Sequence, residues 1–396
     1  MKVLMLNPAL SGSGYTHNLC NALADQGCEV HLFTGPHWQT VGRYWAEVRY
    51  HPQIYFYRRT QEPSYRPGAR GAVWKVLRLI DHLWEMVHLA WIARGFDVIH
   101  VQFLGLPALD VAWLWLVSRY RPVVYTVHNL YPHDALRNRW TRMLWTVIYR
   151  APAALVAHIT ATADGLRADF HVPAPRIAQL RFGNYHHLAT MTRSASPGEI
   201  GLDRPGVVLL FGDIRKNKGI DVLLAAAAQL KARRIDCCTV IAGGRGDGRP
   251  YQDLARRLEL DDVVQFRTGF INEHEVPAYF RAAAIVVLPY RVIDQSAVAV
   301  AACSLGKALI ASDIAGLREI VREADNGILV PPDDPEALAT ALACLLSDEP
   351  LRSRYEANSR RYAREALAWG PIARDTIGVY RRVAAPEGQE VQGTHP

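Results

Sequence analysis

Three basic residues, Arg215, Lys216 and Lys218, follow the apolar run 207–211 and precede Gly219. This order predicts a strand, a basic turn and a helix. The turn then places cationic side chains and unpaired helix amides at the carboxyl end of a buried strand. Arg and Lys beside a helix N-terminus favour phosphate binding. Taken alone, the segment is equally compatible with a solvent-exposed basic turn.

A second segment, residues 285–321, supplies helix amides rather than cations. Ser296 is suited to cap a helix of small residues over 297–305, because its hydroxyl can accept a hydrogen bond from the first turn. The amides of Ala297 and Val298 are then free to bind an anion. We expect the two loops, which follow the first and fourth strands of one domain, to converge on a single diphosphate.

The elements that must position these loops alternate between short apolar runs and helical patterns. This alternation predicts an α/β protein with parallel, doubly wound sheets. Strands are predicted at 2–6, 29–34, 97–102, 123–127, 207–211, 238–242, 263–267, 285–288 and 308–311, and helices within 11–26 and at 73–94, 335–346, 350–366 and 371–384.

The chain is long enough for two domains, since it has 396 residues. Residues 189–206 lack periodicity and are rich in Ser, Gly and Pro, which predicts a linker between domains at 1–188 and 207–368. A C-terminal helix at 369–385 follows. The polar tail 386–396 is expected to be disordered.

The net charge of +7 is unevenly distributed. Residues 1–185 contain 19 Lys and Arg against 11 Asp and Glu, and nine of the ten tryptophans. This composition suggests that the first domain faces something anionic, with nucleic acid or an anionic membrane as candidates. A dispersed basic surface without a partner is the alternative. The six cysteines show no CxxC spacing, which predicts neither a zinc site nor disulfides and fits a reducing, cytoplasmic compartment.

Seven motifs occur in an order that resembles a retaining glycosyltransferase of the GT-B fold, in the nucleotide-sugar family often called family 4. They span most of the chain: SGSGY (11–15), FDVIHVQF (96–103), VYTVHNLYPHD (124–134), FGDIRKNKGID (211–221), VIAGG (240–244), the block 285–321, and NGILVPPDDPEAL (326–338). The resemblance is strongest to the bacterial exopolysaccharide branch. It implies two Rossmann-like domains facing each other across a cleft, with the helix 369–385 returning to the first domain.

The resemblance also implies an activity. A hexose moves from a nucleoside-diphosphate sugar to a glycan or lipid-linked acceptor with retention of configuration, in polysaccharide biosynthesis. Arg215 and Lys218 contact the donor diphosphate and neutralise the charge on the leaving group. His128 meets the transferred sugar, with a core histidine as the alternative, while His100 and His133 are weaker candidates. The implied donor-binding residues are Gly12, Ser13, Gly14, Gly243, Gly244, Ile271, Gln295, Ser296, Ala297, Val298 and Glu319.

The chain departs from the family pattern at two places. Ile293 and Ala301 stand where most members carry two glutamates, and Glu319 matches a common family position without an assigned ribose role. Asp213 stands where many members have Arg, and Arg215 is displaced by two residues. We interpret these differences as marking a subclass rather than lost activity.

No DxD triplet is present, so we predict neither a metal nor a cofactor and expect cations and helix ends to take that role. No nucleophilic carboxylate is evident, which favours a same-face displacement assisted by the leaving group over the two-carboxylate scheme.

Two helical segments raise the question of membrane binding. Residues 73–94 carry an apolar stripe that we expect to pack on the sheet. Residues 136–150 combine Arg with Trp140 and Trp145, and packing or docking on a bilayer are equally compatible with them. A lipid-linked acceptor, one of the two kinds implied above, would make docking on a membrane useful, and we predict peripheral attachment to the cytoplasmic membrane face.

Three other functions remain open from the sequence. A UDP-sugar epimerase has the same fold but needs several acids and histidines that have no match here. A non-catalytic nucleotide-sugar-binding protein is supported by the missing glutamates. Nucleic-acid binding has only the positive charge in its favour, since no recognition motif is apparent.

Overall fold

The computed structural model describes residues 1–8, 13–36, 38, 47–57, 72–131, 138–191, 194–244 and 246–385. These residues form two compact units. The first contains the described residues up to 38, Val48–Leu180 and the C-terminal helix, and the second contains Glu47 and Arg181–Ala368.

The first unit contains a seven-stranded sheet whose strands all run parallel, in the order β3-β2-β1-β4-β5-β6-β7. Its strands are β1 (Lys2–Asn7), β2 (Glu29–Thr34), β3 (His51–Ile54), β4 (Val98–Val101), β5 (Val123–Val127), β6 (Ala154–Ala157) and β7 (Ile177–Gln179). Its helices are α1 (Ser13–Asp25), α2 (Ala72–Ile92), α3 (Pro107–Val117), α4 (Arg139–Arg150) and α5 (Thr160–Phe170). The central strands are buried, as expected for a parallel sheet with helices on both faces.

The second unit contains a six-stranded parallel sheet in the order β10-β9-β8-β11-β12-β13. Its strands are β8 (Val207–Phe211), β9 (Cys238–Gly243), β10 (Val264–Thr268), β11 (Ala283–Leu288), β12 (Ala308–Ser312) and β13 (Gly327–Val330). Its helices are α6 (His186–Ala189), α7 (Ile220–Ala232), α8 (Arg249–Arg257), α9 (Val276–Ala282), α10 (Ala297–Ser304), α11 (Ala315–Ala324), α12 (Pro335–Ser347) and α13 (Glu349–Glu365).

The last helix, α14 (Trp369–Ala384), belongs to the first unit. It packs against α1, and the hydroxyl of Tyr380 lies 2.6 Å from Nδ1 of His100 in β4. The chain therefore leaves the first unit after Leu180 and returns to it at Trp369.

The predicted α/β class with two doubly wound sheets is confirmed, and every predicted strand is present. The structure adds β3, β6, β7 and β13, which have only three or four residues each. The predicted linker 189–206 packs on the second unit, because Leu202 is buried in one of its hydrophobic clusters.

One packing expectation is wrong. The apolar stripe of α2 does not face the sheet: Val73 is 74% exposed and Trp91 is 68% exposed. The buried face of α2 carries Asp81, His82 and Glu85 together with Leu89 and Ala90. His82 is hydrogen-bonded to Asp110, and Glu85 accepts a hydrogen bond from the Tyr57 amide. These bonds keep the polar side of the helix facing the interior.

None of the helices within the described part of the chain is both long and apolar enough to cross a bilayer.

Candidate active site

The strand order of the second sheet reverses between β8 and β11. These strands are neighbours, yet their following connections lead to opposite sides, which opens a crevice at their carboxyl ends. The basic turn 212–219 follows β8, and the loop 289–296 follows β11. The two segments singled out from the sequence therefore meet at the topological switch point, where open α/β sheets bind ligands.

Short contacts hold the two loops together. The backbone amide of Arg291 donates to the Asn217 carbonyl at 2.9 Å, and the Asn217 side chain donates to the Val292 carbonyl at 3.1 Å. Gly219 has a φ of +62°, and a Cβ placed on it would lie 1.9 Å from the carbonyl oxygen of Pro289. Only glycine fits this position, because it satisfies both the left-handed backbone and the close approach.

Lys218 lies between the two loops rather than in solvent. It ends a short 3-10 helix, Lys216–Lys218, and is buried. Its Nζ lies 3.8 Å from the centroid of the Tyr290 ring. A cation on an aromatic face is stabilised there while its N–H groups stay available to an anion. Lys218, one of the two residues predicted to bind phosphate, therefore contacts Tyr290 in the loop that leads to α10.

Arg215 comes directly before that 3-10 helix and forms an ion pair with Asp213 at 3.1 Å. Asp213 is the residue that departs from the family pattern, so its carboxylate holds the displaced arginine close to the carboxyl end of β8.

The helix α10 begins as predicted, after Ser296. The Ser296 hydroxyl accepts a hydrogen bond from the Ala299 amide at 3.2 Å. The amides of Ala297 and Val298 belong to the first turn and have no carbonyl partner within the helix. Next to them, Oε1 of Gln295 is buried and has no hydrogen-bond partner among the described residues. This end of α10 therefore offers both donors and an acceptor.

Glycines bring the next loop close to this site. A Cβ on Gly243, at the end of β9, would lie 1.6 Å from the carbonyl oxygen of Gly212. The half-buried Gly244 follows it. Ile271 is half-buried in the loop after β10, at the same edge of the sheet. Glu319 is half-buried in α11, which follows β12.

The two positions that lack the family glutamates are occupied by packed apolar side chains. Ala301 is buried inside α10, and Ile293 packs against the same hydrophobic cluster, which includes Leu317 of α11. A carboxylate at either position would have to displace these contacts.

In the first unit, the strand order reverses between β1 and β4. α1 begins at Ser13, so Ser13 and Gly14 form its first turn, while Gly12 lies outside the described residues. His128 follows β5 directly and is buried. Its Nε2 donates to Oε1 of Gln102 at 2.9 Å, and its ring stacks on Phe103 with centroids 4.6 Å apart.

A chain of polar contacts continues from His128 into the sheet. The Gln102 side-chain amide donates to Nε2 of His100 at 3.2 Å, and the Thr126 hydroxyl lies 2.7 Å from the same nitrogen. His100 therefore has a structural role between the sheet and α14. His133 lies outside the described residues.

Burial keeps this histidine cluster neutral. Desolvation lowers the pKa of His100 to about 3 and that of His158 to about 4. Burial also lowers the pKa of His128 well below its usual value, and repulsion from His158 and His100 adds to the effect. At neutral pH, His128 is thus an uncharged imidazole that hydrogen-bonds rather than a cation.

We expect the first unit to lose stability in mild acid. Because the folded-state pKa values are lowered, the unfolded chain binds protons that the folded unit does not, from about pH 6.5 down to about pH 4. Each histidine contributes a loss of up to about 2 kcal/mol between about pH 7 and about pH 5. Tryptophan fluorescence during urea unfolding reports mainly on this unit, since nine of the ten tryptophans lie in it.

His158→Gln should weaken this pH dependence. The exposed His186→Gln should leave it unchanged. Equal unfolding free energies of the parent protein at both pH values would contradict the neutral cluster.

The sequence did not reveal Arg291 or its partners. Its guanidinium donates to both carboxylate oxygens of Asp221, at 2.9 and 2.7 Å, and its Nε lies 2.6 Å from Asp333. The Arg291 guanidinium holds the pKa of Asp221 below its usual value. These residues brace the loop that carries Tyr290. In the sequence, these residues stand out only because they lie beside the motifs. Their ion pairs join positions that are far apart in the chain, so no local pattern predicts them.

Among the described residues, no group of three or more His, Cys, Asp or Glu side chains is arranged to hold a metal ion.

Family models match both units. A model for glycosyl transferases group 1 matches residues 194–362, and one for Glycosyltransferase Family 4 matches residues 13–183. A D-inositol 3-phosphate glycosyltransferase from Frankia alni is 31% identical over 320 residues, which are 74% of this chain and 75% of that protein.

Solved structures show the same fold. A sucrose-phosphate synthase from Thermosynechococcus elongatus matches with a TM-score of 0.74 at 22% identity, over 97% of this chain and 99% of that one. The Anabaena protein HepE, solved in complex with UDP and glucose, matches with a TM-score of 0.72 at 18% identity, over 96% and 100%. With these matches and the two sheets described above, the chain belongs to the GT-B glycosyltransferases of the family 4 type and is a transferase enzyme.

Proposed function

We propose that the second unit binds a nucleoside-diphosphate sugar at the switch point between β8 and β11. The observation that supports this most is the buried Lys218, held over the ring of Tyr290 in the loop that leads to α10. Among the described residues, no carboxylate pairs with Lys218, and a buried cation needs an anion to offset its desolvation. The diphosphate of the donor is such an anion. The complex of HepE with UDP and glucose has the same fold and supports this choice of ligand.

The reaction we propose is the transfer of a hexose with retention of configuration. The bond between the anomeric carbon and the donor phosphate oxygen breaks, and the acceptor oxygen bonds to the same face of that carbon. The acceptor proton passes to the departing phosphate. Lys218, Arg215 and the amides of Ala297 and Val298 stabilise the negative charge that grows on the leaving group.

This charge stabilisation comes from the protein itself, so we propose an enzyme that needs no metal or other cofactor. A cationic side chain, a guanidinium and a helix N-terminus supply the positive potential that a divalent ion supplies in other transferases.

Other residues are proposed to shape recognition. Oε1 of Gln295 can accept a hydrogen bond from a hydroxyl group of the nucleotide sugar, in place of the missing glutamate. The other donor contacts that we propose are Ser13, Gly14, Gly243, Gly244, Ile271, Ser296 and Glu319. His128, as a neutral hydrogen-bonding group, is proposed to contact the transferred sugar. The proposed acceptor is a glycan or a lipid-linked sugar of polysaccharide biosynthesis, used at the cytoplasmic face of a membrane.

A panel of UDP-, GDP- and dTDP-sugars tests donor binding. Ligands that bind only the folded state stabilise it by about 2.7 kcal/mol at a concentration of 100 times Kd. We therefore expect one nucleotide class to raise the melting temperature by several degrees, and to be slowly hydrolysed without acceptor.

The anomeric configuration of a product made with that donor, read by NMR, then tests retention. If no nucleotide sugar in the panel changes the melting temperature, the proposed donor site is wrong.

A further inference from the structure

The helix α2 exposes its apolar face along its whole length. Its exposed apolar residues range from 39% exposure at Leu79 to 74% at Val73, and Trp84 and Trp91 are 59% and 68% exposed. A contiguous apolar face of this kind on a helix is unusual in a monomeric protein and marks an interaction surface.

The polar side of α2 cannot turn outward to hide this face. Nε2 of His82 lies 2.6 Å from a carboxylate oxygen of Asp110 in α3, and both side chains are buried. Glu85 accepts a hydrogen bond from the Tyr57 amide at 2.6 Å. Rotating the helix would break these bonds and leave buried polar groups unpaired. The apolar face is thus fixed toward the outside.

Two neighbouring helices extend the exposed area. α3 packs between α2 and α4, and inner residues of all three helices share one hydrophobic cluster. The exposed apolar residues of these three helices, here called the apolar surface, are Val73, Val76, Leu77, Leu79, Ile80, Leu83, Trp84, Val87, Trp91, Leu109, Trp115, Leu116, Trp140, Met143 and Val147.

The exposed charged residues of the same three helices are all basic. Their acidic residues, Asp81, Glu85 and Asp110, are all buried. Basic residues are exposed, among them Lys75 on α2 and Arg139 on α4. The apolar surface is therefore accompanied by cations without exposed carboxylates from the same three helices.

We propose that the apolar surface docks on a lipid bilayer with anionic headgroups. Exposed tryptophans beside aliphatic side chains suit the boundary between headgroups and acyl chains, and the flanking cations complement anionic phosphates. A second copy of the chain fits less well, since a two-fold pairing of this face would bring its cations together. The proposal deepens the membrane-face location proposed above and rests on it, but donor binding at the second sheet does not depend on it.

Vesicle flotation of the full chain tests the proposal. The probes are vesicles of phosphatidylcholine mixed with phosphatidylglycerol, and vesicles of phosphatidylcholine alone. We expect binding to the mixed vesicles that weakens at high salt, and weaker binding to the neutral ones. Trp84→Ser combined with Trp91→Ser should reduce binding about tenfold or more, because both side chains are outside the core.

A matched pair of double variants isolates the role of charge. Lys75→Ala with Arg139→Ala removes two exposed cations at the apolar surface, and we expect binding to the mixed vesicles to fall by about 30-fold. Arg361→Ala with Arg364→Ala removes two exposed cations from α13 in the second unit, and should leave binding unchanged.

Three outcomes would overturn the proposal. They are the absence of binding to either vesicle, an equal loss in both double variants, and a dimer in sedimentation that the tryptophan variant dissociates while vesicle binding persists. Nucleotide-sugar stabilisation, measured without vesicles on the same variants, should be unchanged. If nucleotide sugars do not stabilise the parent protein, the proposed donor site is contradicted, and the proposed docking surface is not.

Discussion

Lys218→Ala is expected to abolish stabilisation by the nucleotide sugar and to lower kcat/KM by at least about 100-fold. The lysine Nζ is held on the Tyr290 ring at the carboxyl end of β8, where it can bind the diphosphate and offset the charge of the leaving group. Because this lysine is proposed to bind the diphosphate both in the donor complex and in the transition state, its loss should raise the KM for the donor and lower kcat.

The neighbouring Lys216 provides a matched control. It lies in the same turn and carries the same charge, but its side chain is exposed. Lys216→Ala should change kcat/KM by less than about threefold, because solvent and salt screen its exposed charge. Melting curves without ligand establish that both variants are folded. Similar losses in the two variants would show that the turn acts by net charge and not through a positioned lysine.

Gly219→Ala is expected to cost at least about 3 kcal/mol of unfolding free energy in the second unit. The alanine Cβ would meet the Pro289 carbonyl oxygen at 1.9 Å, and the positive φ adds strain of its own. Relief requires the two loops to separate, so donor binding should be lost as well. Urea unfolding followed by far-UV circular dichroism measures the stability.

Gly198 lies in the same unit, and only the Ser196 hydroxyl, at 4.0 Å, is near a Cβ built on it. Gly198→Ala should shift the unfolding free energy by less than about 0.5 kcal/mol. If Gly219→Ala unfolds like the parent protein, the close contact between the two loops does not exist.

The donor loops could be predicted because their signals are local. An apolar run, a basic turn and a serine cap lie within a few residues of one another, and β8, β11 and α10 form where these patterns indicate. The second-unit helices α12 and α13 have similarly clear periodicity.

Long-range relations could not be predicted in the same way. Tyr290 lies under Lys218, and Arg291 pairs with Asp221 and Asp333, because the fold brings separate loops together. The contact between His100 and Tyr380 spans 280 positions. No local pattern encodes such pairings.

The error on α2 has a different cause. A helical period shows that one face is apolar, but it does not show which neighbour that face meets. The decisive residues were the polar ones on the opposite side, whose partners, Asp110 and the Tyr57 amide, lie on other elements. A buried hydrogen-bond network therefore determined the orientation of the helix.

The placement of α14 has a consequence for biosynthesis. The second unit has no residue after Ala368, whereas the first unit is completed only by Trp369–Ala384. On the ribosome, which delivers the chain from its N-terminus, the later unit has all its residues first. Until α14 emerges, α1 lacks its packing partner and His100 lacks the tyrosine hydroxyl. The nascent first unit, although all its strands have been made, therefore cannot complete its packing until α14 has been translated.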